Sequence, residues 1–252
     1  MHDNAVILRA GGIEKHFGRV VALRGASYEL RAGEVHAIVG DNGAGKSTLI
    51  KILSGVHHPD GGTIEIEGRE VRIDGPRTAR ALGIETVYQD LALADDLDAT
   101  SNLFLGREAL LPRPLGWLGF LDQKEMRRET ADAIRRLKVG IPSVQQPVNN
   151  FSGGQRQAIA VARAIAWGRR IVIMDEPTAA LGVRESQMVL GMIKEIKEQG
   201  LSVIMVSHNL PEVFLVADRI TVFRLGRTIS TLETTDSSVE KVVAMMTGAV
   251  AA

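Results

Sequence analysis

The chain has 252 residues, of which 45% are hydrophobic and 24% charged, values typical of a soluble globular protein with one large or two small domains. Thirty basic and thirty acidic side chains give a formal net charge of zero, which argues against a nucleic-acid-binding protein. The chain has no cysteine for a disulfide bond, and no apolar run reaches the length of about 20 residues that spans a bilayer. We therefore expect a soluble chain without a signal peptide, whose membrane role, if any, comes through a partner.

Short apolar runs without alternation predict buried strands of a parallel sheet that is covered on both faces. These runs are EVHAIVG (34–40), IETVY (84–88), RIVIMDE (170–176), LSVIMVSH (201–208) and RITVF (219–223). The alternating segment GTIEIEG (62–68) instead predicts an antiparallel edge strand. Helical periodicity is present at Lys46–Leu53, Gln123–Leu137, Gly153–Trp167, Arg184–Gln199 and near Val239–Met246. Together these patterns indicate an α/β protein.

The middle of the chain differs from the rest. From Gln89 to Trp167 it shows helical periodicity and no convincing strand. This part includes the irregular segment ALLPRPLGWLGFLD (109–122), in which we expect Trp117 and Phe120 to be exposed. We therefore predict one domain, 1–252, in which a helical subdomain (89–167) is inserted into a core lobe (1–88 and 168–252).

The segment GDNGAGKST follows a predicted strand and leads into a predicted helix. It matches the pattern G-x-x-x-x-G-K-[ST], whose glycines let backbone N–H groups surround phosphate oxygens. Lys46 would place a positive charge at the β- and γ-phosphates, and Ser47 would offer an oxygen ligand to Mg²⁺. The predicted nucleotide-binding residues of this loop are Gly40, Asp41, Asn42, Gly43, Ala44, Gly45, Lys46, Ser47 and Thr48. The sequence thus predicts a site for a nucleoside triphosphate.

Polar residues at the ends of three other predicted strands complete a hydrolytic site, because the carboxyl ends of parallel strands meet at one crevice. Asp175 would hold Mg²⁺ through water, and Glu176 after it would act as the general base on the attacking water. Gln89 could reach Mg²⁺ or this water, and His208 could touch the γ-phosphate. The predicted catalytic residues are Glu176, His208, Gln89 and Lys46, and the predicted metal ligands are Ser47, Gln89 and Asp175.

The segment NFSGGQRQ (150–157) predicts a second anion site. Ser152 stands at the N-cap of a predicted helix, whose first amides and dipole favour a negative charge. The nucleotide-binding residues predicted here are Ser152, Gly153, Gly154 and Gln155. Because this site belongs to the helical subdomain and the phosphate loop to the core lobe, one ATP is not easily enclosed by both in one molecule. Two copies arranged head to tail would each cover the other's γ-phosphate.

These motifs, and their order along the chain, resemble those of the ATP-binding cassette family. GDNGAGKST is similar to its Walker A loop, IVIMDE to its Walker B strand and FSGGQ to its signature motif. Gln89 is similar to the Q-loop glutamine, His208 to the switch histidine and Phe17 to the aromatic residue that stacks on adenine. The resemblance implies a RecA-like P-loop core with a mostly parallel sheet, an N-terminal antiparallel β portion and an inserted helical subdomain. It also implies Mg²⁺-dependent ATP hydrolysis in a dimer that ATP closes.

Two longer segments resemble the bacterial importers of simple sugars such as ribose, xylose, galactose or fructose. They are GEVHAIVGDNGAGKSTLIKILSGVHHPDGG and DGPRTARALGIETVYQD. The resemblance implies three partners, namely transmembrane permease subunits, a sugar-binding protein and a second cassette, and a peripheral location on the cytoplasmic face of the bacterial inner membrane. The permease would bind a groove near Gln89, and the segment around Trp117 and Phe120 either belongs to that surface or packs on its own lobe.

Two positions depart from the family pattern. Phe151 replaces the usual leucine of the signature and should keep an apolar contact, whereas Gly182 replaces the D-loop aspartate, which could weaken communication between two sites or slow hydrolysis. The alternatives left open are a soluble cassette ATPase of DNA repair or translation, an exporter subunit, and a phosphate-loop kinase or GTPase. A soluble cassette ATPase of this kind typically carries long insertions, and a GTPase carries an N-K-x-D segment. The sequence contains neither feature.

Overall fold

The structure is a computed structural model that describes residues 5–168 and 170–249. These residues form two compact units. The first unit comprises the described residues up to Gln89, Gly168–Pro177 and those from Ile196 onward, and the second comprises Asp90–Trp167 and Thr178–Glu195. The second unit thus includes a stretch, Thr178–Glu195, that the predicted helical subdomain (89–167) did not contain.

The first unit is built on two sheets. One is antiparallel with strand order β2-β1-β4-β5, and the other is mostly parallel with order β10-β9-β3-β8-β7-β6. The strands are β1 Val6–Phe17, β2 Val20–Arg31, β3 Val35–Val39, β4 Gly61–Ile66, β5 Arg69–Glu70, β6 Ile84–Val87, β7 Ile171–Asp175, β8 Ser202–Val206, β9 Arg219–Arg224 and β10 Arg227–Glu233. The prediction of an α/β fold with a mostly parallel sheet and an N-terminal antiparallel portion is confirmed.

Eight α-helices accompany these strands in the described part of the chain. They are α1 Lys46–Leu53, α2 Pro76–Ala81, α3 Ala99–Phe104, α4 Gln123–Arg136, α5 Gly153–Trp167, α6 Val183–Glu198, α7 Leu210–Val216 and α8 Val239–Thr247. Short 3-10 helices lie at Leu115–Leu118, Val148–Asn150 and Thr234–Asp236. None of the helices that the structure describes combines the length and the apolar composition needed to cross a bilayer.

The parallel sheet forms because its strands are apolar on both faces. Every residue of β3 and of β8 is buried, as expected for strands covered on both sides. β3 pairs in parallel with β8 and β9, and β8 pairs in parallel with β7. This pairing brings the carboxyl ends of β3, β7 and β8 to one edge of the sheet, where the predicted phosphate loop, Asp175 and His208 follow.

The resemblance implied an N-terminal antiparallel portion, but the residue patterns did not reveal its long hairpin of β1 and β2. A register shift between Ala10 and Ile13 interrupts the pairing of the two strands, and Gly11 and Gly12 lie within it. Such a bulge breaks the regular alternation by which a half-buried strand is recognised. The prediction of an edge position for GTIEIEG (62–68) was wrong, because β4 lies between β1 and the short strand β5.

The second unit is helical. Between residues 90 and 167, where every residue is described, the chain has no named strand, only the isolated bridges Asp98–Pro147 and Leu110–Leu121. Its loops are fixed by buried polar groups such as Asn102, whose side-chain amide binds the backbone of Ala94 at both its N–H (2.7 Å) and its carbonyl oxygen (3.0 Å). These two hydrogen bonds hold the chain at Ala94, shortly after Gln89.

An irregular segment of the second unit, 109–122, is termed the apolar finger. The Leu111 N–H donates to the Phe120 carbonyl oxygen at 2.9 Å and the Asp122 N–H to the Ala109 carbonyl oxygen at 2.7 Å, which closes the finger at its base. Its large side chains are exposed: Leu110, Leu115, Trp117, Leu118, Phe120 and Leu121. The expected exposure of Trp117 and Phe120 is confirmed, with 85% and 54% of each residue accessible.

Candidate nucleotide-binding and hydrolytic site

The phosphate loop connects β3 to α1 and depends on glycine at two positions. At Gly40 (φ 155°) an added Cβ would lie 2.3 Å from the backbone oxygen of Phe223, and at Gly45 (φ 103°) it would lie 2.7 Å from Leu23 Cδ2. Gly45 is also the N-cap of α1, where no side chain caps the helix. The first amides of α1 therefore have no side-chain acceptor, as a helix N-terminus that binds phosphate requires.

Lys46 is buried at the start of α1 and is held by the loop itself. Its ammonium group donates to the carbonyl oxygens of Gly40 at 2.7 Å and Asp41 at 3.0 Å. Burial lowers the pKa of Lys46, and the carboxylates of Glu176 and Asp175 act against this shift. The result is a fixed, poorly hydrated positive charge at the loop, which is where phosphate charge would need compensation.

A cavity of about 390 Å³ lies at the mouth of the loop in the first unit. Its lining includes Gln89, Glu176, Phe17 and the start of β2. The full lining is Phe17, Val20, Val21, Ala22, Asn42, Gly43, Ala44, Gly45, Lys46, Ser47, Thr48, Gln89 and Glu176. The structure thus gathers most of the predicted nucleotide-binding and catalytic residues of the core around one cavity.

Asp175 ends β7, and its carboxylate has an oxygen available for a ligand. Its Oδ1 atom is buried and has no hydrogen-bond partner among the described residues. Burial and then the charge of Glu176 raise the pKa of Asp175, whereas Lys51 and Lys46 act in the opposite direction. An unpaired carboxylate oxygen beside a phosphate loop fits Mg²⁺ or a water bound to it. The exposed hydroxyl-bearing Ser47 lines the cavity and adds a second oxygen.

Three or more His, Cys, Asp or Glu side chains do not cluster around a possible metal position anywhere in the described residues. Mg²⁺ does not require such a cluster, because it typically keeps several waters and takes one or two protein ligands together with substrate phosphates. The predicted ligands Ser47, Gln89 and Asp175 therefore fit a magnesium ion that is bound together with a nucleotide.

Glu176 and His208 form a pair that the sequence did not predict. The Glu176 carboxylate Oε1 lies 2.9 Å from His208 Nδ1, within hydrogen-bond distance. The Glu176 side chain is 16% exposed and that of His208 65%. Glu176 has a left-handed backbone (φ 50°), which its N–H bond of 2.9 Å to the Val206 carbonyl oxygen helps to hold. A non-glycine residue in this conformation costs free energy and is typical of functional sites.

The second predicted anion site lies in the second unit at the start of α5. The Gln155 N–H donates to Ser152 Oγ at 3.4 Å, and the Ser152 N–H donates to Gln155 Oε1 at 3.1 Å. These reciprocal bonds form a capping box, so Ser152 caps the helix as predicted. A Cβ added at Gly154 would lie 2.3 Å from Met188 Cε, which shows how closely α6 packs on this glycine. Nucleotide binding by Ser152, Gly153, Gly154 and Gln155 stays a prediction.

Glu185, near the start of α6, is a further residue of this region that the sequence reasoning missed. Its carboxylate accepts hydrogen bonds from the Gly154 N–H at 3.4 Å and the Gly182 N–H at 3.3 Å. It therefore links the start of α5 to the position where the family aspartate is replaced by glycine.

Phe151 is buried against Ala99 and other apolar residues of the same unit, as expected for an apolar contact.

Comparison with known proteins identifies the family. The ABC transporter family model matches residues 23–179. The fructose import ATP-binding protein FrcA of Rhizobium meliloti is 48% identical over 245 residues, which cover 96% of this chain and 94% of that protein. The xylose/arabinose import ATP-binding protein XylG of Sulfolobus acidocaldarius is 45% identical over 241 residues, with coverage of 96% and 94%.

Solved structures agree with these sequence matches. MJ1267, described as an ATP-binding cassette of an ABC transporter, superimposes with a TM-score of 0.82 at 27% sequence identity, over 95% of this chain and 98% of that one. The resemblance inferred from the motifs is thereby confirmed. With its phosphate loop, Asp175, Glu176 and signature segment, this chain belongs to the ABC transporter family as an ATP-binding cassette.

Proposed function

We propose that this chain is the ATP-hydrolysing subunit of a membrane importer of a monosaccharide, and that Mg²⁺ is its metal. The observation that carries the ATPase is the single cavity that brings Phe17, Lys46 and Glu176 together. The names of FrcA and XylG, which concern import of fructose and of xylose or arabinose, support the class of cargo.

Nucleotide binding in this proposal uses residues that the fold already holds in place. The Phe17 ring stacks on adenine, while the loop amides and the N-terminus of α1 bind the phosphates. Lys46 exchanges its bonds with the loop carbonyls for phosphate oxygens, so its charge is used without a large change of position. Bound Mg²⁺ would be held by Ser47 and Asp175, with Gln89 in reach, and would neutralise charge on the phosphate oxygens.

Hydrolysis requires a base that takes a proton from the attacking water. Glu176 fills this role, because its carboxylate lines the cavity and is held by its backbone conformation and by His208. A positioned general base typically contributes about 10²- to 10⁴-fold to a rate. His208 orients the Glu176 carboxylate. Gln89 lines the same cavity, where it can bind the water or the metal.

A second cassette would give the predicted anion site at the start of α5 its role. We infer a head-to-tail dimer in which Ser152 and the first amides of α5 of one copy cover the γ-phosphate bound by the other. The capping box and the close packing at Gly154 support this role, since they hold the start of α5 rigidly. Glu185 connects that start to Gly182, and so supplies a link within the subunit next to the missing family aspartate.

The membrane partners are permease subunits, and through them a sugar-binding protein, so the chain acts at the cytoplasmic face of the membrane. The exposure of the apolar finger supports its participation in the permease contact rather than packing on its own unit. An exposed apolar patch of this kind is typical of an interaction surface.

The proposal is tested with a Glu176→Gln variant, whose mass is measured by light scattering with and without ATP and Mg²⁺. The variant should bind ATP without hydrolysing it and should convert from monomer to dimer. The matched control is Glu176→Gln combined with Ser152→Ala, which should bind ATP and stay monomeric. If the Glu176→Gln variant binds ATP and remains monomeric, the homodimer is wrong and a different cassette must complete the site.

The import role needs its own test. The chain is co-produced with its permease subunits in membrane vesicles, and uptake of labelled monosaccharides is measured with ATP on the cassette side. Uptake should require ATP and be lost with Glu176→Gln. Uptake that persists with this variant would contradict the proposal.

A further inference from the structure

The Phe17 ring is held by groups that lie outside the cavity it lines. Lys15 lies two residues earlier on β1, and its Nζ is 5.6 Å from the ring centroid. The His57 ring packs against Phe17 at an angle of 67°, with centroids 5.2 Å apart. Among the described residues, Phe17 belongs to the cavity wall and neither Lys15 nor His57 does. Both therefore contact the ring without lining the cavity that would take the base.

Asp60 fixes this arrangement. Its Oδ1 accepts a hydrogen bond from Lys15 Nζ at 2.8 Å, and its Oδ2 accepts one from the His16 N–H at 2.6 Å. Its own N–H donates to the Glu14 carbonyl oxygen at 2.9 Å, so three bonds join the turn after His57 to the end of β1. The Lys15 side chain is only 14% exposed and thus largely fixed.

The charge on Asp60 is present at every pH at which the protein would operate. The hydrogen bond from Lys15 and then the one from the His16 amide lower the pKa of Asp60 to about 2. The Asp60 carboxylate therefore stays ionised through the neutral range. This makes it a permanent feature of the site rather than a switch.

We propose that Asp60 is a positioning residue for the nucleotide base: it holds the Lys15 ammonium over Phe17 and, with His57, sets the orientation of the ring before the base binds. The inference rests on the proposed nucleotide site and concerns base recognition within it. Phe17 is 43% exposed, so its ring would otherwise be free to rotate, and ordering it would reduce affinity. A cation over one face of the ring also fixes which face is left for stacking.

A purely structural role of Asp60 gives a different result. If Asp60 only joined the turn to β1, its loss would affect ligands with and without a base alike, or neither. If Asp60 positions Phe17, its loss weakens only ligands that carry a base. ADP and inorganic pyrophosphate make this distinction, because both engage the phosphate loop and only ADP reaches Phe17.

The experiment measures the affinities of ADP and of pyrophosphate for the full chain by isothermal titration calorimetry. Asp60→Asn keeps the shape and an acceptor for the His16 N–H but removes the charge, and should raise the Kd of ADP about 3- to 10-fold, the size of one cation–π contact. The Kd of pyrophosphate should not change. The matched control is Asp74→Asn, which removes the carboxylate of an exposed pair with Arg72 in the same unit and should alter neither ligand.

Two further variants make the test decisive. In a Phe17→Ala background, Asp60→Asn should have no further effect on ADP, because the ring it positions is gone. Lys15→Met keeps the aliphatic stem and removes the ammonium, and should reproduce the selective loss even if Asp60→Asn fails to fold.

Equal weakening of both ligands, an unchanged Kd of ADP, or a loss that persists without Phe17 would each overturn the positioning role of Asp60. These results leave the nucleotide site standing, since the wild-type chain would still bind ADP. A wild-type chain that binds neither ADP nor pyrophosphate would overturn the nucleotide site, and the role of Asp60 with it.

Discussion

Replacement of His208 by alanine tests how the hydrolytic site is organised. The structure places His208 Nδ1 2.9 Å from the Glu176 carboxylate, so the imidazole is expected to act through Glu176. An alternative is that His208 touches the γ-phosphate directly, as its position after β8 would also allow. The two roles predict different results when Glu176 is also changed.

The magnitude follows from the environment of the pair. A hydrogen bond to a charged group contributes about 1.5–3 kcal/mol. Because the His208 side chain is 65% exposed, water screens the bond and the lower value applies. About 1.4 kcal/mol corresponds to a tenfold change in rate, so His208→Ala should lower kcat about tenfold. Loss of the base in Glu176→Gln should lower it by about 10²- to 10⁴-fold.

The assay is single-turnover ATP hydrolysis by wild type, His208→Ala, Glu176→Gln and the double variant. The double variant should be no slower than Glu176→Gln, because the group that His208 positions has already lost its function. His58→Ala, which changes an exposed histidine outside the cavity, is the control and should retain the wild-type rate. A double variant clearly slower than Glu176→Gln would refute positioning and favour direct contact with phosphate.

Three further predictions concern the scaffold. Gly40→Ala should lower the free energy of unfolding by about 1–3 kcal/mol in urea denaturation, because the added Cβ would clash with the Phe223 backbone oxygen. Gly43→Ala is the control and should cost less, since a Cβ added there lies within 4 Å of no other atom. Asn102→Ala should cost about 1–3 kcal/mol in the same assay, since it leaves the Ala94 backbone groups unpaired. Burial lowers the pKa of His36, so its contribution to stability is complete above the unfolded pKa of about 6.5 and is lost as pH falls below it. Tm should therefore drop as the pH is lowered through this value, and should drop less in His36→Gln.

Much of the site was predictable because its chemistry is local in sequence. The loop from Gly40 to Thr48 is continuous, and its glycines and lysine have roles that depend on neighbours a few residues away. The apolar runs that became β3, β7 and β8 need no partner to be recognised, since strands buried on both faces are apolar throughout. Ser152 was predictable as an N-cap for the same reason: its partner, Gln155, is three residues away.

The remaining features depended on contacts between distant residues. The bulged hairpin of β1 and β2 hides its alternation, and the interior position of β4 follows from its pairing with both β1 and β5. Asp60 and Lys15 are 45 residues apart in the sequence, and no local pattern predicts their hydrogen bond.

The sequence by itself determined which residues can bind phosphate, hold Mg²⁺ and activate water, because those capacities belong to the side chains and to short segments of backbone. Only the tertiary structure decided how these side chains are placed relative to one another. The Glu176–His208 bond and the unpaired oxygen of Asp175 arise where β7 and β8 end side by side, whereas the groups that hold Phe17 meet where the turn after α1 contacts the end of β1. Strand pairing sets those distances, and pairing is a property of the folded sheet rather than of any one segment.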